Sequence, residues 1–363
     1  MDEQRHMGRQ SSLLTAGLNR RQFLGGLVGL GFLGTGTSAL ADSPKAPPAK
    51  GGGHGMHPGA PAPYPTHPAE APKGLPADLP SPLRVSDPMT FLTSFDTGRV
   101  TRLPDGRVQR EYGVIALDGE AEVAPGVKFP AWTFNGYVPG PTLRCTEGDF
   151  VKLHFLNQSS MPHTMHFHGF HPANMDGVFE VVPPGGHFTY EFTADPFGLH
   201  LYHCHVMPLK KHIHKGMYGA FIIDPQKPRP AAKEMVMVMN GFDTDFDNEN
   251  EFYTVNGVAN YYIEHPIEIR QHEPLRIYVV NLLEFDLINS IHTHATFFKY
   301  FRTGTRLDQY EYTDTVMLCQ GERGIMEFSY RFPGMFMFHA HQSEFAELGW
   351  MGFFKVLPAE GKA

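Results

Sequence analysis

The stretch HCHVMPLKKHIHKGM, from His203 to Met217, carries the pattern around which the rest of the chain can be interpreted. Cys204 is followed eight residues later by His212 and, after five more, by Met217. Side chains alternate between the two faces of a β-strand, so Cys204 is expected to point away from its neighbours His203 and His205. A thiolate, imidazoles and a weak thioether suit a copper ion that changes oxidation state. The stretch therefore predicts a blue-copper site, with a fourth ligand from elsewhere, beside a second metal site.

Composition narrows the functional classes. The chain has 363 residues, enough for two domains, and a formal net charge of -8 without a basic block, so a nucleic-acid partner is not indicated. It contains 21 histidines, which are clustered along the sequence. Besides Cys204 there are two cysteines, Cys145 and Cys319. They could pair in an oxidising compartment or stay as thiols, and the sequence leaves both possibilities open.

The N-terminus resembles a twin-arginine export signal. NRRQFL, at residues 19–24, precedes a short Gly-rich apolar run and the small residues around Ala41. We predict a signal peptide over residues 1–41 and a periplasmic or secreted protein. The apolar run is shorter than the roughly 20 residues that a membrane-spanning helix needs, so no span is predicted in the mature protein.

A Pro/Gly-rich arm is predicted over residues 42–88, where branched apolar residues are rare. Such a composition favours a disordered or polyproline-like segment. The arm contains histidines and a methionine that could gather copper or simply belong to a solvated tether: His54, Met56, His57 and His67.

Beyond the arm, short segments rich in Val, Phe, Tyr and Ile alternate with Gly/Pro turns. Examples are Thr133–Pro141 and Pro183–Phe192. No long amphipathic helical pattern interrupts them. The pattern predicts an all-β fold, a sandwich or a Greek-key barrel.

The chain also repeats itself. The first half contains, in order, HTMHFHG (His163–Gly169), PFGLHLYHCH (Pro196–His205) and GMYGAF (Gly216–Phe221). The second half contains NSIHTHA (Asn289–Ala295), FPGMFMFHAH (Phe332–His341) and GWMGFF (Gly349–Phe354). We therefore predict two homologous domains, at residues 89–226 and 227–363, joined by a Pro-rich segment at 225–230.

The two copies differ in an informative way. The positions that match the candidate blue-copper ligands His163, Cys204, His212 and Met217 hold Asn289, Ala340, Phe345 and Trp350. Two His-x-His pairs nevertheless remain in each copy. The eight histidines of these pairs are His166, His168, His203, His205, His292, His294, His339 and His341. Eight imidazoles match two copper ions with three ligands each and a third with two, which predicts a trinuclear cluster filled by both halves.

These motifs resemble those of the two-domain multicopper oxidases whose blue copper lies in the first domain. The resemblance covers most of residues 98–358 and includes WTFNGYVPGPTLRCTEGD (Trp132–Asp149). It implies two cupredoxin-like domains and four copper ions per chain. The type 1 copper would be held by His163, Cys204, His212 and Met217, the type 2 copper by His166 and His292, and the type 3 pair by His168, His203, His205, His294, His339 and His341.

The resemblance implies an enzyme that takes single electrons from a small donor and reduces dioxygen to water. Electrons would arrive at His212, the more exposed type 1 ligand in the family, and continue from Cys204 through the backbone to its two neighbours. Phenols or aromatic amines, as in laccases, are the first choice of donor, and cuprous or ferrous ions the second. A copper nitrite reductase is a weaker alternative, because its catalytic aspartate would fall at His166.

An electron carrier without turnover is a further alternative, although it would not need eight additional histidines. Asp314, and with less support Asp176, resemble the family's acidic residue that supplies protons near the cluster, but aspartates are equally common in turns. The resemblance also implies a homotrimer in which each cluster lies between neighbouring chains, since a closed ring fills every such site.

Overall fold

A computed structural model describes residues 85–360. The predicted export signal and residues 42–84 of the arm lie outside the described residues, so those predictions stay predictions. Within the described range the chain is built from twenty strands and four short α-helices, with one 3₁₀ turn at Ala173–Met175. The all-β prediction is confirmed. None of the helices between residues 85 and 360 is long and apolar enough to cross a membrane.

Nine strands form the first half of the fold, together with two of the helices. They are β1 (Arg99–Arg102), β2 (Val108–Ala124), β3 (Val127–Phe134), β4 (Leu143–Thr146), β5 (Phe150–Asn157), β6 (His166–Phe167), β7 (His187–Thr193), β8 (Gly198–His203) and β9 (Tyr218–Asp224). The helices are α1 (Pro88–Thr93) and α2 (Leu209–His214).

Eleven strands and two helices form the second half. The strands are β10 (Lys233–Phe242), β11 (Phe252–Val255), β12 (Ile267–Arg270), β13 (Leu275–Asn281), β14 (Ile288–Thr293), β15 (Phe298–Arg302), β16 (Glu311–Thr313), β17 (Thr315–Cys319), β18 (Arg323–Phe328), β19 (Gly334–His339) and β20 (Met351–Leu357). The helices are α3 (Tyr261–Glu264) and α4 (Ser343–Glu347).

The sequence repeat reappears as a repeat of topology. One sheet of the first half contains β3, β2, β5 and β7 in spatial order, and the matching sheet of the second half contains β11, β10, β13 and β18. The other pair of sheets runs β4-β9-β8-β6 and β12-β20-β19-β14. The parallel pairs also correspond, since β2 pairs with β5 as β10 pairs with β13, and β4 with β9 as β12 with β20. Each half is therefore a two-sheet, cupredoxin-like unit.

The β10 strand shows why some strands are apolar on both faces. Met235, Met237 and Met239 pack into the core of the second half. Val236 and Val238 point the other way, into a third apolar cluster that also contains residues of β8 and β9. Because successive side chains face opposite sides, a strand between two cores reads as a continuous apolar run.

Two segments that were predicted to be strands begin or end differently. Within Thr133–Pro141 the strand stops at Phe134, because Asn135 and Gly136 have positive φ angles of 62° and 87° and turn the chain. Within Pro183–Phe192 the strand starts only at His187, after a Pro-Pro-Gly-Gly turn. Helix α1 begins at Pro88, the last residue of the predicted arm.

An ion-pair network ties β4 to β10. Arg144 contacts Asp224 at 2.7 Å and Glu234 at 2.7 Å, and Glu234 is also 2.9 Å from Arg276. Although burial alone would raise the pKa of Glu234, the hydrogen bonds from these two arginines outweigh it and lower that pKa to about 2. The charged network is thus a part of the contact between the two halves.

We expect Glu234→Gln to lower the free energy of unfolding at pH 7 by about 2 kcal/mol, after allowance for the partial exposure of Glu234. The change would be measured as a lower urea midpoint. Because the folded pKa is depressed, the charged form stabilises the fold above pH ~4.5, and this contribution is lost as the pH falls towards 2. The difference from wild type should therefore shrink in the same interval. The control is Glu268→Gln, in an exposed pair with Lys355, which should not shift the midpoint; equal effects of the two variants at pH 7 would contradict the assignment.

Candidate metal centre

One buried thiol and two buried imidazoles converge in the first half. The Nδ1 atoms of His163 and His212 are 3.2 Å apart, and the Cys204 Sγ atom lies 3.7 Å from the first and 3.2 Å from the second. All three side chains are at most 1% exposed. The sequence prediction joined His163 to two residues of the stretch His203–Met217, and in the structure the three side chains meet.

The chemistry of these donors fits a copper ion. Burial lowers the pKa of His163 to about 3 and that of His212 to about 4, so both rings are neutral and offer a lone pair. Burial raises the pKa of the Cys204 thiol to about 11, and a cation would reverse this by favouring the thiolate. The Thr164 N–H donates to Sγ at 3.4 Å. Two nitrogens and one sulfur around a single point form the trigonal set that copper accepts.

The loop after Cys204 brings Met217 beside this group. Helix α2 carries His212, and the Met217 N–H donates to the His212 carbonyl at 3.2 Å. The Cys204 N–H donates to the Met217 carbonyl at 2.9 Å, which closes the loop. Met217 is fully buried in the same core as Cys204. A weak axial thioether at Met217 is compatible with this arrangement.

A second group of imidazoles includes both sequence neighbours of Cys204, His203 and His205. Coordinating nitrogens of His166, His168 and His203 lie within 4.8 Å of one another. The fourth ring, His205, is 5.4 Å from His166 and 5.7 Å from His203 between ring centroids. Burial lowers the pKa of His168 to about 3 and that of His203 to about 4, which again leaves neutral rings.

The second half repeats this group. Coordinating nitrogens of His292, His294 and His339 lie within 4.8 Å of one another, and the His341 ring is 5.3 Å from His292. The two four-histidine groups face separate cavities in the described chain. His166, His168, His203 and His205 face one of about 660 Å³, whereas His292 and His294 face another of about 1020 Å³.

Backbone carbonyls orient four of these rings in the same way in both halves. The Nδ1 atoms of His203 and His339 lie 2.9 Å and 2.6 Å from the carbonyl of the residue that follows each. The Nδ1 atoms of His166 and His292 lie 2.7 Å and 2.9 Å from the carbonyls of Asp176 and Asp314. When Nδ1–H donates to a carbonyl, Nε2 is left as the metal-binding atom.

The two candidate acidic residues occupy matching positions. The Asp176 Oδ1 atom lies 3.2 Å from the His166 Nδ1 atom and 3.7 Å from His171. The Asp314 Oδ1 atom lies 4.0 Å from the His292 Nδ1 atom and accepts from the Thr315 hydroxyl at 3.1 Å. Each aspartate thus supports one histidine with its carbonyl and keeps a carboxylate close by.

In the second half, apolar packing fills the place of the cysteine-centred group. The Ala340 N–H donates to the Trp350 carbonyl at 3.1 Å, and the Trp350 N–H donates to the Phe345 carbonyl at 2.9 Å. These bonds match those of Cys204, Met217 and His212, so the second half keeps the shape of the loop. The Phe345 ring stacks on Tyr253 at 4.0 Å.

His212 is the most exposed of the four candidate type 1 ligands, as expected, but the margin is only 1% against 0% for the other three. His212 is 1% exposed because the Trp132 ring lies 4.8 Å from it and 5.5 Å from His163. Sequence reasoning missed the role of Trp132 as the cover of these histidines. Trp132 begins the WTFNGYVPGP motif, but that motif does not indicate contacts with His163 and His212, which lie 31 and 80 positions further along the chain.

One local expectation also needs adjustment, and one question that the sequence left open is answered. The strand β8 ends at His203, so Cys204 and His205 lie just past it, but the Cys204 N–H still bonds to the carbonyl of Met217, the residue opposite it in the β8–β9 register. Cys145 and Cys319 are free thiols, the first buried and the second exposed, so they do not form the disulfide that the sequence left open.

Comparisons with known proteins agree with this geometry. Two family models, both described as multicopper oxidase, match residues 117–228 and 229–360. A solved structure titled as a multicopper oxidase is 54% identical, with a TM-score of 0.74, and the match covers 75% of this chain and 97% of that one. The blue copper oxidase from Nitrosomonas europaea is 27% identical, with a TM-score of 0.62 over 68% of this chain and 86% of that one.

The chain is also similar to a protein of another enzyme class. The copper-containing nitrite reductase of Neisseria gonorrhoeae is 30% identical over 60% of this chain, and the chain spans 60% of that relative's length. The two family models together cover more than half of the chain, and the 54% identical structure is matched over nearly its whole length. The chain therefore belongs to the multicopper oxidase family.

Proposed function

We propose that this protein is a laccase-like oxidase that takes single electrons from phenols or aromatic amines and reduces dioxygen to water. The observation that carries the proposal is the pair of four-histidine groups in repeat-related positions, accompanied by one cysteine-centred group in the first half only. A carrier of electrons would need the cysteine-centred group alone. Eight further imidazoles are the donors that a cluster of three copper ions requires.

Four copper ions per chain follow from this assignment. His163, Cys204, His212 and Met217 would hold the type 1 ion, His166 and His292 the type 2 ion, and the remaining six histidines the type 3 pair. Bound copper would supply one-electron redox chemistry at the first site and oxygen binding at the cluster. The chain itself would connect the type 1 site to the cluster, because Cys204 is joined through the backbone to its neighbours His203 and His205.

We also propose that the protein is a homotrimer in which each cluster combines the first half of one chain with the second half of its neighbour. The two histidine groups of one chain face separate cavities. His294 and His341 are exposed in a single chain, and Phe297 and Phe332 near the former are 51% and 66% exposed. Exposed aromatic rings around candidate ligands are typical of a surface that another chain covers.

The second candidate is a copper nitrite reductase, favoured by the 30% identity to the Neisseria protein. The proposed oxidase is preferred because His166 stands where the reductase would carry its catalytic aspartate. The histidine pair His339 and His341 would also have no role in the reductase. Oxidation of cuprous or ferrous ions is the alternative donor chemistry for the oxidase.

Oxygen uptake and nitrite consumption by the same purified protein test the proposal. The oxidase should consume one dioxygen for every four one-electron donor molecules oxidised, without releasing peroxide, because O₂ needs four electrons and four protons to become water. Nitrite should not be consumed. Nitrite-dependent turnover in the absence of oxygen uptake would favour the reductase instead.

We propose that Asp314 and Asp176 hold protons for water formation and keep His292 and His166 oriented. Asp314→Asn should lower oxygen turnover roughly 100-fold, the usual contribution of a positioned proton donor, because the variant loses the ionisable carboxyl and keeps the carbonyl that bonds His292. Reduction of the type 1 copper by the donor under anaerobic conditions should remain unchanged, since Cys204 and its partners are untouched. Asp308→Asn, an exposed aspartate paired with Arg306, is the control. Equal oxygen turnover in the two variants would remove Asp314 from the mechanism.

A further inference from the structure

A cavity of about 850 Å³ adjoins the cysteine-centred group through Trp132. Trp132 forms part of its wall and is half-buried. The same indole is in ring contact with His212 and His163, which are themselves closed to solvent. A molecule in this cavity can therefore contact Trp132, which contacts both imidazoles. It cannot contact the imidazoles directly, because they are buried.

The cavity wall combines aromatic rings with lysines. Each of three lysines on helix α2 or just after it holds its ammonium group over an aromatic ring, an arrangement in which the ring face attracts the cation. Such pairs leave the outward N–H groups available to a ligand. The pairs are Lys210 with Phe285 at 4.1 Å, Lys211 with Trp132 at 5.4 Å and Lys215 with Phe246 at 4.6 Å.

Within the described residues, none of the three lysines of this wall forms an ion pair within 4.0 Å, although Glu284 and Asp243 interact at longer range with Lys210 and Lys215. Lysines elsewhere do form ion pairs, for example Lys355 with Glu268. Lys215 donates to the Pro130 carbonyl at 2.7 Å and makes no ion pair among residues 85–360. The ammonium groups of the wall are thus available to a negatively charged ligand.

Two carboxylates also line the cavity, but backbone N–H groups already bond them. The Asp243 oxygens accept from Asp247 at 3.1 Å and from Asn248 at 2.8 Å, and Asp243 is 2% exposed. The exposed Asp118 accepts from the Ser160 N–H at 2.7 Å. The three lysines outnumber these two aspartates, so the wall carries a net positive charge.

We infer that this cavity binds aromatic donors that carry a negative charge, such as phenols with a carboxylate or sulfonate group, and that Trp132 conducts their electron to His212. The inference rests on the proposed oxidase function and adds its substrate class. The aromatic ring would stack against Trp132 and Phe285 while the anionic group meets Lys210 and Lys211. Cuprous and ferrous ions would be repelled by the same lysines.

The electron and proton balance of the step is simple. The phenol O–H of the donor loses one electron and one proton and becomes a phenoxyl radical. The electron would pass through the indole of Trp132 to His212, which would hold the copper ion that supplies the one-electron acceptor. The proton leaves to water at the mouth of the cavity, where Phe246 is 52% exposed.

Calorimetric titration of the full-length holoenzyme tests the binding part without turnover. The probes are benzenesulfonate, which is not readily oxidised, and methyl phenyl sulfone, its neutral analogue. Benzenesulfonate should bind about 10-fold more tightly than the sulfone, and Lys210→Gln/Lys211→Gln should remove that preference. Lys355→Gln should retain it, because Lys355 lies outside the cavity. Equal affinity for the two probes, or a preference that survives the double substitution, would overturn the assignment of the cavity.

Anaerobic mixing of the holoenzyme with a sulfonated phenol tests the role of Trp132. Trp132→Leu should slow the bleaching of the blue band roughly 10-fold or more, whereas Trp132→Phe should recover part of the rate. The resting blue band should be the same in all three proteins, because Trp132 is not a ligand. An unchanged bleaching rate in Trp132→Leu would overturn the electron path.

Failure of the inference and failure of the proposed oxidase function would give different experimental results. If the protein consumes oxygen with neutral phenols but binds benzenesulfonate no better than the sulfone, the oxidase function is supported and the preference for anionic donors is wrong. If no donor supports oxygen uptake, the oxidase falls, while the calorimetric comparison still measures the cavity. Raised salt should increase the KM for a sulfonated phenol and leave kcat unchanged, because exposed charges are screened.

Discussion

Replacement of Cys204 by serine is expected to abolish the blue band and donor-driven oxygen uptake together. Cys204 is the sulfur donor in its group, and the intense colour of a blue-copper site arises from its bond to copper. The hydroxyl of serine is a poor ligand for this soft site. Cys204 is also the residue that connects the donor side to His203 and His205, so its loss removes both the first acceptor and the route onward.

A matched control exists for this variant. Cys145 is buried in the same core, at 2% exposure, but lies outside every candidate ligand group of the described residues. Cys145→Ser should keep the blue band. The Cys204→Ser protein should still bind the three copper ions of the cluster, which separates loss of one site from loss of the fold. A blue band in Cys204→Ser, or its absence in Cys145→Ser, would contradict the assignment of the type 1 site.

Two inactive variants are expected to restore each other's activity when they are produced together. His166→Ala/His168→Ala removes the first-half contribution to the cluster, and His292→Ala/His294→Ala removes the second-half contribution. In a ring of chains, a cluster is complete where an intact first half meets an intact second half from the neighbour. A trimeric ring that contains both variants should have about a third of the wild-type activity, because one of its three interfaces joins two intact halves.

The design of the mixing experiment excludes trivial outcomes. The two variants carry different affinity tags, and two-step purification isolates rings that contain both. Each variant alone should be inactive in oxygen reduction yet blue, since the cysteine-centred group is intact. If clusters form within one chain, the mixed protein will be as inactive as its parents, and the proposed arrangement between neighbouring chains is wrong.

Much of the ligand geometry follows from the sequence because the repeat supplies an internal comparison. His203 and His339 end matching strands, and both donate from Nδ1 to the next carbonyl. Loss of the cysteine-centred group in the second half appears in the structure as a loop of the same shape, filled by Phe345 and Trp350. Comparison of the two copies predicted the loss of these ligands, whereas the carbonyl contacts and the shape of the loop are seen only in the structure.

Features that depend on packing between distant segments could not be predicted. The contact of Trp132 with His212 joins β3 to α2, and no periodicity indicates which ring will cover which ligand. The contact of the Lys210 ammonium with the Phe285 ring joins the two halves of the chain, and no sequence pattern indicates it either. Turn geometry also shifted strand ends, as at Asn135, where a positive φ angle stops β3.

The copper content of the purified mature protein tests the central claim most directly. Metal analysis of the holoenzyme, with the protein concentration taken from amino-acid analysis, gives the number of copper ions per chain. Our account predicts four, one held at Cys204 and three by the eight histidines. Two copper ions per chain would contradict it, because that content would leave the second pair of histidine motifs without a metal.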